Sequence, residues 1–270
     1  LNPNSTVEMA ETSAVTGLLK GKRGLIVGVA NQNSIAWGCA RALAAAGMEL
    51  AFTYQGEVMR DRVEKTTAEI GDVMRFDLDV SREDQIEEVF EALRARWGQL
   101  DFLLHSVAYA PKMAMSNPFL ETTREDFGMA LEVSAYSLVG LSRAAAALMP
   151  VGGSIVTMTY YGSQKAVPGY NVMGVAKAAL EASVRYLAID LGRQGIRINA
   201  ISAGAVNTLA ARGVAHFRNL LKITAERAPL GRAVDLEEIA NAAVFLASDL
   251  GSGVTGETIF VDAGFHVTAG

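Results

Sequence analysis

The chain has 270 residues, half of them hydrophobic, with 24 Lys and Arg against 29 Asp and Glu for a formal net charge of −5. This supplies apolar material for one large domain with a real core; a charged share of 20% excludes a mainly disordered chain, and no unbroken apolar stretch approaches the ~20 residues that span a bilayer. The acidic balance argues against nucleic acid as the principal partner, because phosphate binding needs a basic face.

Residues 1–20 are rich in Ser, Thr and Asn and lack both a basic start and an apolar run, so they read as a loose tail and not a secretion signal, with Met9 the expected natural start. Residues 21–270 read as one domain without a Pro/Ser-rich linker or repeat. In it, β-rich runs at 24–29, 49–54, 73–77, 102–106, 154–159, 197–201 and 258–261 alternate with helix-period segments at 35–46, 56–70, 82–97, 124–148, 171–193 and 236–247. Ser81 and Thr123 stand at cap positions ahead of acidic first turns. Strands alternating with helices predict an α/β fold, a doubly wound parallel seven-stranded sheet of the Rossmann kind. The interval 204–229 breaks the rhythm and contains a helical segment at 215–227. It is read either as a substrate lid at about 205–228 or as a helical insertion packed on the surface.

The first βα turn runs from Gly28 through Ser34 and Ile35 to Gly38. Glycine at a strand end permits a tight turn, and the following helix N-terminus offers free N–H groups to a pyrophosphate. The standard GxGxxG spacing is absent, so Gly28 also reads as a plain turn glycine and Gly38 as a helix-packing one. Gln55 ends the second strand, where its amide can bond ribose hydroxyls; no cation adjoins it and Glu57 repels a 2′-phosphate, which favours NADH over NADPH. Asp79 with Val80, after the third strand, suits an adenine or merely caps the next turn. The single cysteine, Cys39, excludes an internal disulfide and fits a reducing cytoplasm. His105, His216 and His266 have no metal-binding spacing, and no metal is expected.

The densest constellation is Thr159-Tyr160-Tyr161-Gly162 followed by Pro168-Gly169-Tyr170 and, six residues beyond that tyrosine, Lys177. Tyr170 and Lys177 then lie two helical turns apart on one face, roughly 10 Å along the axis. A tyrosine with a downstream lysine resembles the short-chain dehydrogenase/reductase superfamily, whose usual spacing leaves three residues between them. In ketone reduction hydride lands on the carbonyl carbon, close to the phenol; in conjugate reduction of an enoyl thioester it lands two carbons away. The wider spacing suits the second. No asparagine occurs between Pro118 and Tyr170, where classical members use one in a proton relay; Ser134 lies in that stretch.

The segments GVANQNSIAWG, HSVAYAP, TYYGSQKAVPGYNVMGVAKAALEASVRY and ASDLGSGVTGETIFVDAGF most resemble the bacterial NADH-dependent enoyl-acyl carrier protein reductases, from about Gly21 to Phe265. The resemblance implies that Gly28, Ser34 and Ile35 cradle the pyrophosphate, Gln55 takes the adenosine ribose, and Asp79 and Val80 take the adenine. Ser106, Val107 and the run Val206, Asn207, Thr208, Leu209 and Ala210 would contact the nicotinamide half, and Lys177 its ribose. Tyr170 would stabilise an enolate formed when hydride reaches C3 of a trans-2-enoyl thioester, with Tyr160 or its neighbour Tyr161 as second active-site tyrosine and Ala110 beside the thioester. The proton for C2 would come from Tyr170 or from a water linked to Lys177.

The same resemblance implies fatty acid biosynthesis in the cytoplasm, a homotetramer packed through small-residue helix faces, and an acyl carrier protein partner. Arg212, Arg218 and Lys222 would meet that acidic partner, and Val214, Phe217, Leu220 and Leu221 would line an acyl channel. Ala205 and Ala263 depart from the family's usual proline and glycine. Competing readings are a carbonyl reductase of the same superfamily and a non-catalytic dinucleotide-sensing protein.

Overall fold

The structure, a computed structural model, describes residues 17–208 and 217–268. Seven parallel strands form one sheet: β1 (Arg23–Val27), β2 (Glu49–Tyr54), β3 (Met74–Asp77), β4 (Phe102–His105), β5 (Gly153–Thr159), β6 (Ile196–Ala203) and β7 (Thr258–Val261). Their order is β3-β2-β1-β4-β5-β6-β7. The strand order reverses between β1 and β4, which opens a crevice at the carboxyl ends of these two strands. The register across that switch pairs Gly24 with Phe102 and Val27 with His105.

Helices α1 (Ile35–Ala45), α2 (Gly56–Thr67) and α3 (Glu83–Trp97) follow the first three strands. Beyond β4 come α4 (Lys112–Ser116), α5 (Arg124–Leu131), a π-helical turn (Glu132–Tyr136) and α6 (Ser137–Ala146). Then come α7 (Asn171–Gly192), α8 (Phe217–Arg227) and α9 (Leu236–Ala247). One apolar core lies between the sheet and α1 with α9, centred on Trp37, Leu43, Phe52 and Ile239. The other lies between the sheet and α3, α6 and α7, centred on Leu93, Leu103, Leu138 and Leu180. Both sheet faces are therefore covered, which is why the central strands read as unbroken apolar runs.

Each predicted strand lies within two residues of its observed bounds. Three details differ. Leu19 is buried and its N–H donates to the Ala46 carbonyl at 2.8 Å, so the packed body takes in residues assigned to the 1–20 tail. Ser81 is not the cap of α3: Arg82 occupies that position, while the Ser81 hydroxyl and N–H both donate to the Asp79 carboxylate. Thr123 does cap α5, accepting from the Asp126 N–H at 3.1 Å. The predicted helix 124–148 is interrupted by the π turn, an extra residue per turn that re-aims everything after it. Leu209, Ala210, Arg212 and Val214 lie outside the described residues, as do the side chains of Phe217, Arg218 and Leu220. Among the described residues no helix is long and apolar enough to cross a membrane.

Ala263, read from sequence as standing in place of a glycine, has φ +57°. An L-residue pays for this left-handed backbone through its Cβ. Ala263→Gly is therefore expected to stabilise the fold by about 0.5–1 kcal/mol, after the greater unfolded-state entropy of glycine is subtracted; a higher urea midpoint at constant slope would report it.

Candidate active site

The crevice at the switch point is built first by glycine. Gly28 follows β1 with φ +109°, and a Cβ there would come within 2.2 Å of the Ser106 carbonyl oxygen and 3.1 Å of Val107. The ends of β1 and β4 meet only because no side chain intervenes. Beyond the turn, Ser34 is the N-cap residue of α1 but makes no side-chain cap; its hydroxyl donates to the Asn31 carbonyl at 2.7 Å. Intrahelical bonding begins with the Trp37 N–H on the Ser34 carbonyl. The N–H groups of Ile35 and Ala36 therefore face the crevice end of the helix without a helical acceptor, as an anion site requires. Gly38 serves packing, its missing Cβ leaving 3.3 Å to Leu236 of α9.

The adenosine side is acidic. The Gly56 N–H, one residue after Gln55, donates to the Asp77 carboxylate at 2.8 Å. Asp79 accepts from Ser81, and its N–H donates to Gln85. Its carboxyl lies below the ordinary value even though desolvation opposes this, because the bonds from Ser81 and Gln55 favour the charged form. Asp79 does cap a turn, as the plainer reading held, through one oxygen. Arg60, the nearest cation on α2, is engaged by Glu64 and Glu57. These residues fit a dinucleotide with a free 2′-hydroxyl better than a 2′-phosphate.

The reactive side lies at the carboxyl end of β5. Tyr160 leaves the strand directly after Thr159, and its ring meets that of Tyr170 edge-on, with centroids 5.0 Å apart and planes at 73°. Tyr161 turns instead onto Phe265. Of the two neighbouring phenols, Tyr160 is thus the one beside Tyr170. Burial pushes the Tyr160 phenol up to about 12, with Tyr161 adding to it. Burial also raises Tyr170, with Tyr160 and Glu181 next in effect. Both phenols are protonated at neutral pH. Among the described residues neither hydroxyl bonds a protein group, leaving them available as donors.

Tyr170 is the N-cap residue of α7, and Asn171 follows it with φ +38° while its amide donates to the carbonyls of Met115 and Asn117. Tyr170 and Ala110 both pack on a small cluster of Ala114, Ala130, Val172, Met173 and Ala176. Lys177 is 6% exposed and donates to the Met158 carbonyl at 2.8 Å. Desolvation lowers its pKa to about 8 against the raising influence of Glu181. A surface lysine, the plainer reading, is thereby excluded. Val206 and Thr208 are buried beyond β6, and Asn207 is exposed.

Sequence reasoning left three buried polar residues here without a role. His105, fully buried, has Nδ1 2.8 Å from the Thr157 hydroxyl and Nε2 2.9 Å from that of Ser137. Ser137 itself donates to the Val133 carbonyl, so it accepts the Nε2 proton and Nδ1 accepts from Thr157. Burial, followed by the Lys177 charge, pushes this imidazole down to about 3, so it is neutral. Ser134, in the π turn, accepts from the Tyr109 N–H at 2.9 Å and donates to the Tyr109 carbonyl at 3.0 Å, fixing the loop that carries Ala110. Glu181 accepts from Thr159 and Ser163. A polar residue inside an apolar helix or strand period was the available signal for all three.

The family profile described as enoyl-(acyl carrier protein) reductase matches residues 28–266. The Rhizobium meliloti enoyl-[acyl-carrier-protein] reductase [NADH] 1 is 52% identical over 258 residues, covering 96% of this chain and 94% of that protein. Among solved structures, the Anaplasma phagocytophilum reductase in complex with NAD is similar with TM-score 0.91 and 45% identity, over 94% of this chain and 97% of that one. The Bacillus cereus enzyme, with NADP+ and an indole naphthyridinone, is similar with TM-score 0.92 and 45% identity over 94% of this chain and all of that one. The chain belongs to the enoyl-acyl carrier protein reductase family within the short-chain dehydrogenase/reductase superfamily.

Proposed function

We propose how this enoyl-acyl carrier protein reductase of fatty acid biosynthesis uses its residues to saturate the trans-2 double bond of an enoyl thioester. The reading is carried by one observation: a protonated phenol at the mouth of α7 and a buried ammonium two turns further in, both beside the end of β5. When bound, NADH supplies the hydride that adds to C3 of the conjugated thioester. Ser34 and Ile35 hold the pyrophosphate beside Gly28, Gln55 the adenosine ribose, and Asp79 with Val80 the adenine. Ser106, Val107, Val206, Asn207 and Thr208 would border the nicotinamide half, and Lys177 would bond its ribose.

Tyr170 donates a hydrogen bond to the thioester oxygen, where negative charge collects as the double bond is reduced; a donor aimed at developing charge acts in the transition state. Tyr160 braces that ring through its edge, and Ala110 leaves room beside the thioester. The wide Tyr170 to Lys177 spacing favours this over carbonyl reduction, and the fitted phenol and ammonium favour it over a silent dinucleotide sensor. Residues 205–228 act as the lid. Acyl carrier protein docks near it, at Lys222, which is exposed and pairs with Glu226 at 3.7 Å, and at Arg212 and Arg218. The molecule works as a cytoplasmic homotetramer.

Purified protein given NADH should reduce crotonyl thioesters and leave acetoacetyl thioesters untouched; turnover of the ketone alone would overturn the assignment. Tyr170→Phe should lower kcat by about 10²- to 10³-fold with NADH affinity, read by nicotinamide fluorescence, nearly unchanged. Gly28→Ala should abolish NADH binding because the added Cβ collides with the Ser106 carbonyl. The ammonium of Lys177 is present below its pKa of about 8 and lost above it, so NADH affinity should fall on the alkaline side of pH 8.

A further inference from the structure

We propose that Glu181 is a positioning residue for the reaction: its carboxylate clamps the strand end that carries Tyr160 while its charge, one helical turn along α7, supports the buried ammonium of Lys177. The inference rests on the reading of Lys177 as the ribose-holding residue. Lys177 and Glu181 stand four residues apart on one face of α7, and both are 6% exposed. They grip consecutive residues of β5. The Lys177 ammonium donates to the Met158 carbonyl at 2.8 Å. The Glu181 carboxylate accepts from the Thr159 hydroxyl at 2.7 Å and from the Ser163 hydroxyl at 2.5 Å. Thr159 and Ser163 bracket Tyr160, so the carboxylate closes the loop on which that phenol stands.

A carboxylate is retained in such a dry place only where donors and an opposite charge meet it. The titratable groups around the ammonium are Glu181 on its own helix, His105 on β4, and the phenols of Tyr160 and Tyr170. With the imidazole and phenols neutral, the Glu181 carboxylate is the acidic group one helical turn from the ammonium. Of the cations on neighbouring elements, Arg143 of α6 is engaged with Glu83, Arg197 of β6 with the carbonyls of Leu246 and Ser248, and Arg124 of α5 is exposed. Lys112 of α4 is exposed.

Two variants separate clamp from charge. Glu181→Gln keeps an acceptor oxygen for both hydroxyls and removes the charge. The double substitution Thr159→Val with Ser163→Ala keeps the charge and removes the clamp. NADH affinity is measured by nicotinamide fluorescence from about pH 6 to 10, beside kcat and KM with a crotonyl thioester. Glu181→Gln should move the alkaline loss of NADH affinity down by about one pH unit, because the ammonium loses its counter-charge. The double variant should leave that midpoint in place and lower kcat about tenfold. An unmoved midpoint in Glu181→Gln, or an unchanged kcat in the double variant, would overturn the proposal. Should Glu181→Gln fail to fold, Glu181→Asp retains the charge on a shorter arm: an unmoved midpoint with reduced kcat supports the proposal and a shifted midpoint overturns it. If the unsubstituted protein holds NADH equally well up to pH 10, the reading of Lys177 itself fails and this inference falls with it; retained crotonyl turnover would then show that the reaction assignment survives.

Discussion

An ammonium placed in a protein interior must find acceptors there or give up its proton, and the buried Lys177 sets this condition for the whole carboxyl edge of the sheet. Its acceptor is the Met158 carbonyl, which lies one residue beyond the last β4–β5 pair, His105 with Thr157, near the carboxyl end of β5. That makes the placement of α7 against β5 and β6 a chemical requirement as well as a packing one. The apolar side chains of Leu180 and Val184, on the same helix, seat it in the core beneath β5 and β6. Lys177 and Glu181 then rise from the buried stripe at the level where the strands stop.

The segment between β4 and β5 shows how a helix can be adjusted without being broken. A regular helix from Arg124 to Ala146 would turn its polar residues by an even 100° each. The π turn at Glu132–Tyr136 sets the phase back, and Ser134 bonds the Tyr109 backbone while Ser137 bonds His105. One local irregularity thus serves two ends: it fixes the loop carrying Ala110 and caps the imidazole under the ammonium. In this stretch without an asparagine, the Ser134 hydroxyl both donates to and accepts from the backbone of one residue, Tyr109.

The sheet was legible because parallel strands covered on both faces leave continuous apolar runs, and glycine or polar residues at their ends mark the turns. The π turn was not, since apolar residues continue on both sides of it and periodicity registers the sum of the two helices. Ser81 misled because its hydroxyl had two uses, capping or bonding Asp79, and only the backbone path decides between them. In the site, Tyr170 and Lys177 stood out by their spacing, whereas Gly28, without the GxGxxG pattern, stood out only by its place after the first strand. Glu181 and His105 carried only the weaker signal of a polar residue within an apolar period, which does not tell what each one bonds until the elements that bury it are known. Ala263 shows a partial case: the departure from glycine was visible in the sequence, and the positive φ that the alanine adopts came only with the coordinates.

The two phenols depend on absent side chains as much as on present ones. A Cβ on Gly162 would stand 2.5 Å from the Tyr170 ring and 3.1 Å from that of Tyr160, and one on Gly174 would meet the Gly162 carbonyl at 2.8 Å. Gly174 lies one helical turn beyond Tyr170, between it and Lys177. The wide tyrosine to lysine interval therefore contains the position where the Tyr160 loop descends onto the helix. With three intervening residues, as in carbonyl reductases, there would be no such gap: the lysine would stand where Gly174 now admits the loop. Lengthening the interval moves the phenol outward and, in the same stroke, opens the seat for the loop that holds a second phenol against its edge. Conjugate reduction asks for the first displacement, and the packing of Gly162 on Gly174 gives the second its structural reason.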